Sequence, residues 1–205
     1  MKSLSGLWWL APLLLSLFAC SDAPKSAEVK PPPKPPEALT GRQAFQRIYP
    51  QARGWAPDAQ PLEIRSVHLA QVKAGDGKAG AWQVTFVSPS RGKSKTYTYS
   101  AVEGDGGLHE GVFGGLEESY TPRSDSSPFS IAAIKIDSDE AYKAAAARSE
   151  DYIKKNPGKP VMFLMEQTRR FADVTWRVIW GDSVGTSDYS VFVDGSTGKL
   201  LQVMH

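Results

Sequence analysis

An internal repeat limits what this 205-residue chain can fold into more than any other feature. Ala81-Trp82-Gln83-Val84-Thr85-Phe86 matches Thr175-Trp176-Arg177-Val178-Ile179-Trp180, and Tyr97 to Leu108 (YTYSAVEGDGGL) matches Tyr189 to Leu200 (YSVFVDGSTGKL). Such self-similarity means that one supersecondary unit is used twice, and it has to be read before any single motif. The alignment absorbs its difference in length between the Trp and Tyr segments, in a hairpin loop, where insertions are tolerated best.

The rest of each half supplies matching elements. Asp137-Ser138-Asp139-Glu140 offers an N-cap with acidic residues in the first turn. Tyr142, Ala145, Ala146, Ser149, Tyr152 and Ile153 then recur at helical spacing until Asn156-Pro157-Gly158 ends the helix. In the first half, Thr40 caps a helix carrying Ala44, Phe45 and Ile48, and Pro50 demands a break or a fresh turn. Pro61 opens the extended segment LEIRSVHLAQV as Pro160 opens VMFLMEQT; a slip of apolar phase between Ile64 and Val67 predicts an irregularity or bulge in that strand. Each half therefore reads helix, strand, hairpin and a further short strand. This is an α+β class made of two tandem units, each a helix packed on an antiparallel sheet. Trp82, Val84 and Phe86, like Trp176, Val178 and Trp180, alternate toward the helix as core. Periodicity does not choose between halves packed side by side and halves joined in one sheet.

The second half, from Ser138-Asp139-Glu140-Ala141 through Trp176-Arg177-Val178 to Tyr189-Ser190-Val191-Phe192-Val193-Asp194 and Thr197-Gly198-Lys199-Leu200, resembles a PepSY domain. The first half is similar only through the internal repeat. The resemblance implies a cystatin-like helix-on-sheet fold, an envelope or secreted location and, in some members, binding or inhibition of peptidases. No peptidase domain follows here, so such a role would act in trans.

The N-terminus reads as an address. Lys2 precedes an apolar run from Leu7 to Ala19, too short for the roughly 20 residues of a membrane-crossing helix but suited to a secretory leader. Leu17-Phe18-Ala19-Cys20 resembles the lipobox of bacterial lipoproteins, which implies cleavage before Cys20 and its acylation. Several chains would anchor the protein firmly, at about 0.8 kcal/mol per buried methylene. Ser21 is compatible with the outer membrane. The alternative is an ordinary signal peptide ending near a buried cysteine. Pro31, Pro32, Pro33, Pro35 and Pro36 forbid helix and favour an extended spacer. The expected organisation is a signal peptide over 1–19, lipidated Cys20 and tether over 20–39, a first unit over 40–118, a connection over 119–129 and a second unit over 130–205.

Composition removes other classes. With 24 basic and 22 acidic residues and no arginine cluster, the chain lacks the charge for nucleic-acid binding. One Cys allows no internal disulfide or CxxC pair. Gly181-Asp182-Ser183-Val184-Gly185 matches G-x-S-x-G, with Asp194 and His205 following in triad order, but it lies between strands and lacks the strand-to-helix turn that such a serine needs. Gly75 to Gly80 satisfies GxGxxG, but a strand follows it rather than the helix that would receive a pyrophosphate. His68, His109 and His205 are far apart, and only His109-Glu110 near Asp105 offers an adventitious metal site. No catalytic residue, metal or cofactor is therefore assigned. The leading expectation is a non-enzymatic envelope lipoprotein, held at the membrane through lipid on Cys20, that binds a protein or peptide partner such as a secreted peptidase. A small-ligand or lipid-binding protein with a cavity between helix and sheet is the alternative, and a serine hydrolase using Ser183 is the remote one.

Overall fold

The computed structural model describes residues 35–122 and 125–205; the leader, Cys20 and most of the proline-rich segment lie outside the described residues. Ala38 and Leu39 are already buried, so the folded part begins two residues earlier than Thr40. Strand β1 (Leu39–Thr40) pairs with β3 (Lys78–Ala79) and leads into α1 (Gly41–Trp55). Thr40 Oγ1 accepts from the Gln43 backbone N–H, and the Gln43 side chain accepts from the Thr40 N–H, a reciprocal capping box. Helix α1 runs through Pro50 rather than ending there. Pro50 and Gln46 are both exposed, so the Gln46 carbonyl that loses its helical partner lies on the solvent side of the helix. Ile48 and Ala52, fully buried on either side of Pro50, hold the two parts of the helix on the sheet.

The second helix starts where the sequence places it. Asp137 caps α2 (Ser138–Arg148), and Glu140 accepts from the Asp137 N–H at 3.0 Å. The segment does not stay one helix to Asn156: it breaks at Ser149 and resumes as α3 (Glu150–Lys155). The buried Ser149 hydroxyl donates to the Ala145 carbonyl at 2.7 Å, a back-bond that bends helices. Asn156 then caps α3, and Gly158 takes the left-handed conformation, φ 78°, that turns the chain away.

The remaining strands are β2 (Gln60–Val67), β4 (Ala81–Ser88), β5 (Lys93–Ser100), β6 (Gly111–Ser119), β7 (Ser126–Ser127), β8 (Val161–Thr168), β9 (Thr175–Trp180), β10 (Tyr189–Asp194) and β11 (Leu200–Met204), with a 3₁₀ turn at Ile131–Ala133 before α2. Eight of them form one antiparallel sheet in the order β11-β10-β9-β8-β2-β4-β5-β6, and β7 adds to the end of β8. The halves thus share a continuous sheet, joined where Glu63, Ile64 and Arg65 of β2 pair with Glu166, Met165 and Leu164 of β8. Helix α1 packs on β4 and β5, and α2 on β9 and β10, over one side of the sheet. The class is α+β.

Ladder register corrects the sequence alignment of the repeat. Trp82 stands opposite Tyr99 and Val84 opposite Tyr97; Trp176 stands opposite Val193 and Val178 opposite Val191. Overlaying the tryptophans therefore matches Tyr97 with Val191, two positions beyond Tyr189. The side-chain period of two keeps the same face inward either way, so the core pattern survives the shift. The expected irregularity is present in β2, ahead of the apolar slip. Register is regular from Glu63 to Val67, and the irregularity lies at Pro61/Glu63. Ser66 occupies the core-facing place, buried, with its Oγ accepting from the Phe163 N–H at 2.9 Å. Val67 faces the other way and packs near Leu69, Val72 and Ala81. A polar residue in a core position produced the apparent phase slip.

The two helix starts meet at the centre. Trp82 Nε1 donates to the Leu39 carbonyl and Trp176 Nε1 to the Ile136 carbonyl, each at 2.9 Å and each just ahead of a helix cap. The indoles meet edge to face at 6.3 Å. A Cβ on Gly41 would come within 2.7 Å of the Trp176 ring, which restricts that position to glycine. Asp137 serves both helices: besides capping α2, it accepts from Thr40 Oγ1 at 2.7 Å and from the Arg42 N–H at 2.9 Å. A carboxylate between two helix N-termini is favoured by both dipoles.

Candidate functional site: the open face of the sheet

Strand alternation gives the sheet two faces of different character. The helix side is filled by Trp82, Val84, Phe86, Trp176, Val178 and Met165, all fully buried, against Ala44, Ile48, Ala141 and Ala145 of the helices. Among the described residues, the other side carries no helix. Register places Glu63, Arg65, Gln83, Thr85, Thr96, Glu166 and Arg177 on it. Near Val67 this side is covered by a second apolar cluster of Leu69, Val72 and Ala81; around Glu63 and Glu166 its polar and charged groups need partners or water.

Three clefts indent the open face. The first, about 570 Å³, is floored by Arg65, Gln83 and Leu164 and walled by the β5–β6 loop at Asp105 to Leu108 and the β9–β10 loop at Asp182 to Gly185. The second, about 450 Å³, lies toward the opposite end of β2 and is bounded by Tyr120 to Pro122 and Ser126, part of the connection between the halves. The third, about 320 Å³, is lined by Arg169, Arg170, Arg177 and Phe192 together with Glu166. The Arg170 and Arg177 guanidiniums lie 4.9 and 5.2 Å from the Phe192 ring centre, and Arg177 Nε donates to Ser190 Oγ.

Charge is unevenly settled there. Glu63 and Glu166 stand directly opposite each other on β2 and β8, an unfavourable arrangement for like charges. Burial, and then the Glu63 charge, push the Glu166 carboxyl above the usual range, while Arg177 pulls the other way. Burial likewise lowers the Arg177 guanidinium. Elsewhere acids are matched. Lys159 and the Tyr152 hydroxyl hold Asp188 at about 2, and the Ser88 hydroxyl with the Ser90 N–H holds Asp58 at about 2.

The sequence motifs fall in different places. Ser183 lines the first cleft, but its hydroxyl bonds with Thr186 Oγ1 at 2.7 Å. Asp194 lies at the far end of β10, where its carboxylate accepts from Ser196 and the Thr197 N–H in the turn to β11. His205 packs on Tyr189 at the helix side. Ser183, Asp194 and His205 are not brought together. The glycines at 75–80 form a loop closed against α2: a Cβ on Gly77, at φ 82°, would lie 2.2 Å from Asp139 Cα. His109 pairs with Glu103 at 3.3 Å and stacks on Phe113, and among the described residues no group of three ligand-type side chains could hold a metal. Cys20 lies outside the described residues.

The Glu63–Glu166 pair escaped the sequence reading. Each glutamate reads alone as an ordinary polar position of an alternating strand, and only the pairing of β2 with β8 puts them face to face. Comparison of the chain with protein-family models, curated proteins and solved structures gave no match.

Proposed function

We propose that this chain is a non-enzymatic envelope lipoprotein that presents the open face of its sheet to a protein or peptide partner. Two PepSY-like, cystatin-like units joined at β2 and β8 form the binding body, and lipid on Cys20 holds it at the membrane through the proline-rich tether. The observation that carries this reading is the contrast between the faces. One is closed by two helices and a tryptophan-lined core; the other is open, clefted and polar, with half-buried charges. The PepSY resemblance points to a secreted peptidase as the class of partner. The helix–sheet interface is filled by side chains, so a small ligand would have to use the open-face clefts instead. Among the described residues no helix is long and apolar enough to cross a membrane.

The test has two parts on the full chain in its producing cell. Cys20→Ser should abolish incorporation of labelled palmitate and release the protein from the membrane fraction. The detergent-solubilised lipoprotein should retain an envelope protein on affinity capture, and Gln83→Arg with Thr96→Arg on the open face should remove it. Retention of that protein by the doubly substituted chain, or palmitate labelling of Cys20→Ser, would contradict the proposal.

A further inference from the structure

The two halves differ in the charge of their helix-side surface. Helices α2 and α3 together carry four acidic and four basic residues, whereas α1 carries Arg42, Arg47 and Arg53 and no acidic residue. Strand β5, on which α1 packs, continues the excess: Lys95 stands opposite the core residue Phe86, and Lys93 lies two positions back on the same side. Side-chain contacts tie these groups into one surface. Arg47 donates to the Tyr99 hydroxyl at 3.1 Å, the Lys95 ammonium lies 5.4 Å from the Tyr97 ring centre, and the Arg91 guanidinium lies 5.2 Å from that of Trp55 at the end of α1. Two carboxylates lie among them, and both are engaged. Glu117 of β6 accepts from Trp55 Nε1 and pairs with Arg91 at 2.8 Å, and Asp58 accepts from the Ser88 hydroxyl and the Ser90 N–H. Among the described residues no ion pair reaches Arg47, Arg53, Lys93 or Lys95. Beside Glu117, at the irregularity of the outer strand β6, Leu116 is 89% exposed. A basic surface rimmed by an exposed leucine and a half-buried indole has the chemistry that a bilayer interface takes up.

We infer that the basic surface of α1 and β5 lies against the anionic phospholipid head groups of the membrane, with the open face of the sheet turned away from the bilayer. The inference rests on the proposed envelope location and adds which side of the molecule meets the lipid. Charge complementarity selects the occupant. Head-group phosphates accept from guanidinium and ammonium donors, and the attraction of an anionic bilayer for such groups acts within a Debye length of its surface. The chain enters the folded part at Leu39–Thr40, immediately ahead of α1, so an anchor at Cys20 joins the molecule at this helix. Helix α1 and the open face are on opposite sides of one sheet, so seating the helix on lipid leaves the clefts free for a partner.

The test uses the full chain carrying Cys20→Ser, so that no acyl chain holds it, in co-sedimentation with vesicles of phosphatidylglycerol or of phosphatidylcholine. The chain should bind phosphatidylglycerol roughly tenfold or more tightly than phosphatidylcholine, and added salt should shrink the difference. Arg47→Gln, Arg53→Gln and Lys95→Gln together should weaken binding to phosphatidylglycerol by roughly tenfold or more. Lys143→Gln, Arg148→Gln and Lys155→Gln, on α2 and α3, remove the same formal charge and should change affinity less than about twofold. Arg47→Lys, Arg53→Lys and Lys95→Arg keep the charge while changing the local contacts and should retain binding, which separates loss of charge from loss of fold. Equal binding to the two kinds of vesicle would overturn the inference, as would equal weakening by the α2/α3 set, unchanged binding by the glutamine set on α1 and β5, or loss of binding in the charge-keeping set. If vesicle binding fails while palmitate labels Cys20 and an open-face substitution abolishes partner capture, this inference falls and the functional reading stands.

Discussion

Strands β4 and β9 show two kinds of chemistry on one backbone. Toward the helices, β4 presents Trp82, Val84 and Phe86 and β9 presents Trp176, Val178 and Trp180, none more than 2% exposed. Between them, facing away, stand Gln83, Thr85, Arg177 and Ile179. The first set is explained by stability alone, since large apolar groups against alanine-faced helices bury most area per residue. The second is mostly polar, and at Glu63 and Glu166 it works against stability. Where packing explains a side chain no further role is needed. Where a side chain costs stability, packing does not explain it.

The comparison predicts unequal responses to substitution. Trp176→Ala or Trp82→Ala should lose about 3–5 kcal/mol in denaturant unfolding, from a cavity in the shared core and the loss of an indole hydrogen bond. Gln83→Ala, one residue along and on the other face, should stay within about 0.5 kcal/mol. Equal losses at both positions would erase the distinction between the faces. Next in size, Asp137→Ala should cost about 2 kcal/mol, since it removes a cap from α2 and an acceptor from α1 together, at about 1 kcal/mol each. A loss no larger than that of Thr40→Ala would show that Asp137 does not couple the two helix starts.

Smaller effects appear in pH dependence, with opposite signs on the two sides. Lys159 and Tyr152 hold the Asp188 carboxyl at about 2, below its ordinary 3.8, so its contribution is present above 3.8 and is lost as pH falls through about 2. Asp188→Asn should therefore melt lower than the parent at neutral pH and converge with it in strong acid. The Glu166 carboxyl lies above its ordinary 4.5, so stability is greatest below 4.5 and declines as pH rises through its folded value. Glu166→Gln should equal the parent below pH 4.5 and exceed it by roughly 0.2–1 kcal/mol at neutral pH, the scale of a cross-strand like-charge contact. Thermal melts between pH 2 and 8 read both curves, and a destabilised Glu166→Gln at neutral pH would refute the assigned repulsion.

Much of the helix side was legible in the sequence because its signals are local. The Thr40 and Asp137 caps, the stop at Asn156 to Gly158 and the alternating tryptophan rows all depend on near neighbours along the chain. The errors arose where tertiary packing overrode a local rule. Ile48 and Ala52 carry α1 through Pro50, Ser149 breaks a helix that periodicity continues, and Ser66 takes a core place by bonding the Phe163 N–H. The open face was hardly legible. Its clefts depend on the pairing of β2 with β8, which no spacing within either half encodes, and on the connection crossing from β6 to β7.

Site-specific photocrosslinking in the producing cells tests the division between the faces most directly. A photoreactive residue would replace Gln83 or Thr98 on the open face in one set of chains and Lys143 or Arg148 on the helix side in another. The expected result is one discrete cross-linked species from the open-face positions and none from the helix positions. Cross-links to that same species from the helix positions alone would contradict the assignment of the open sheet face as the partner surface.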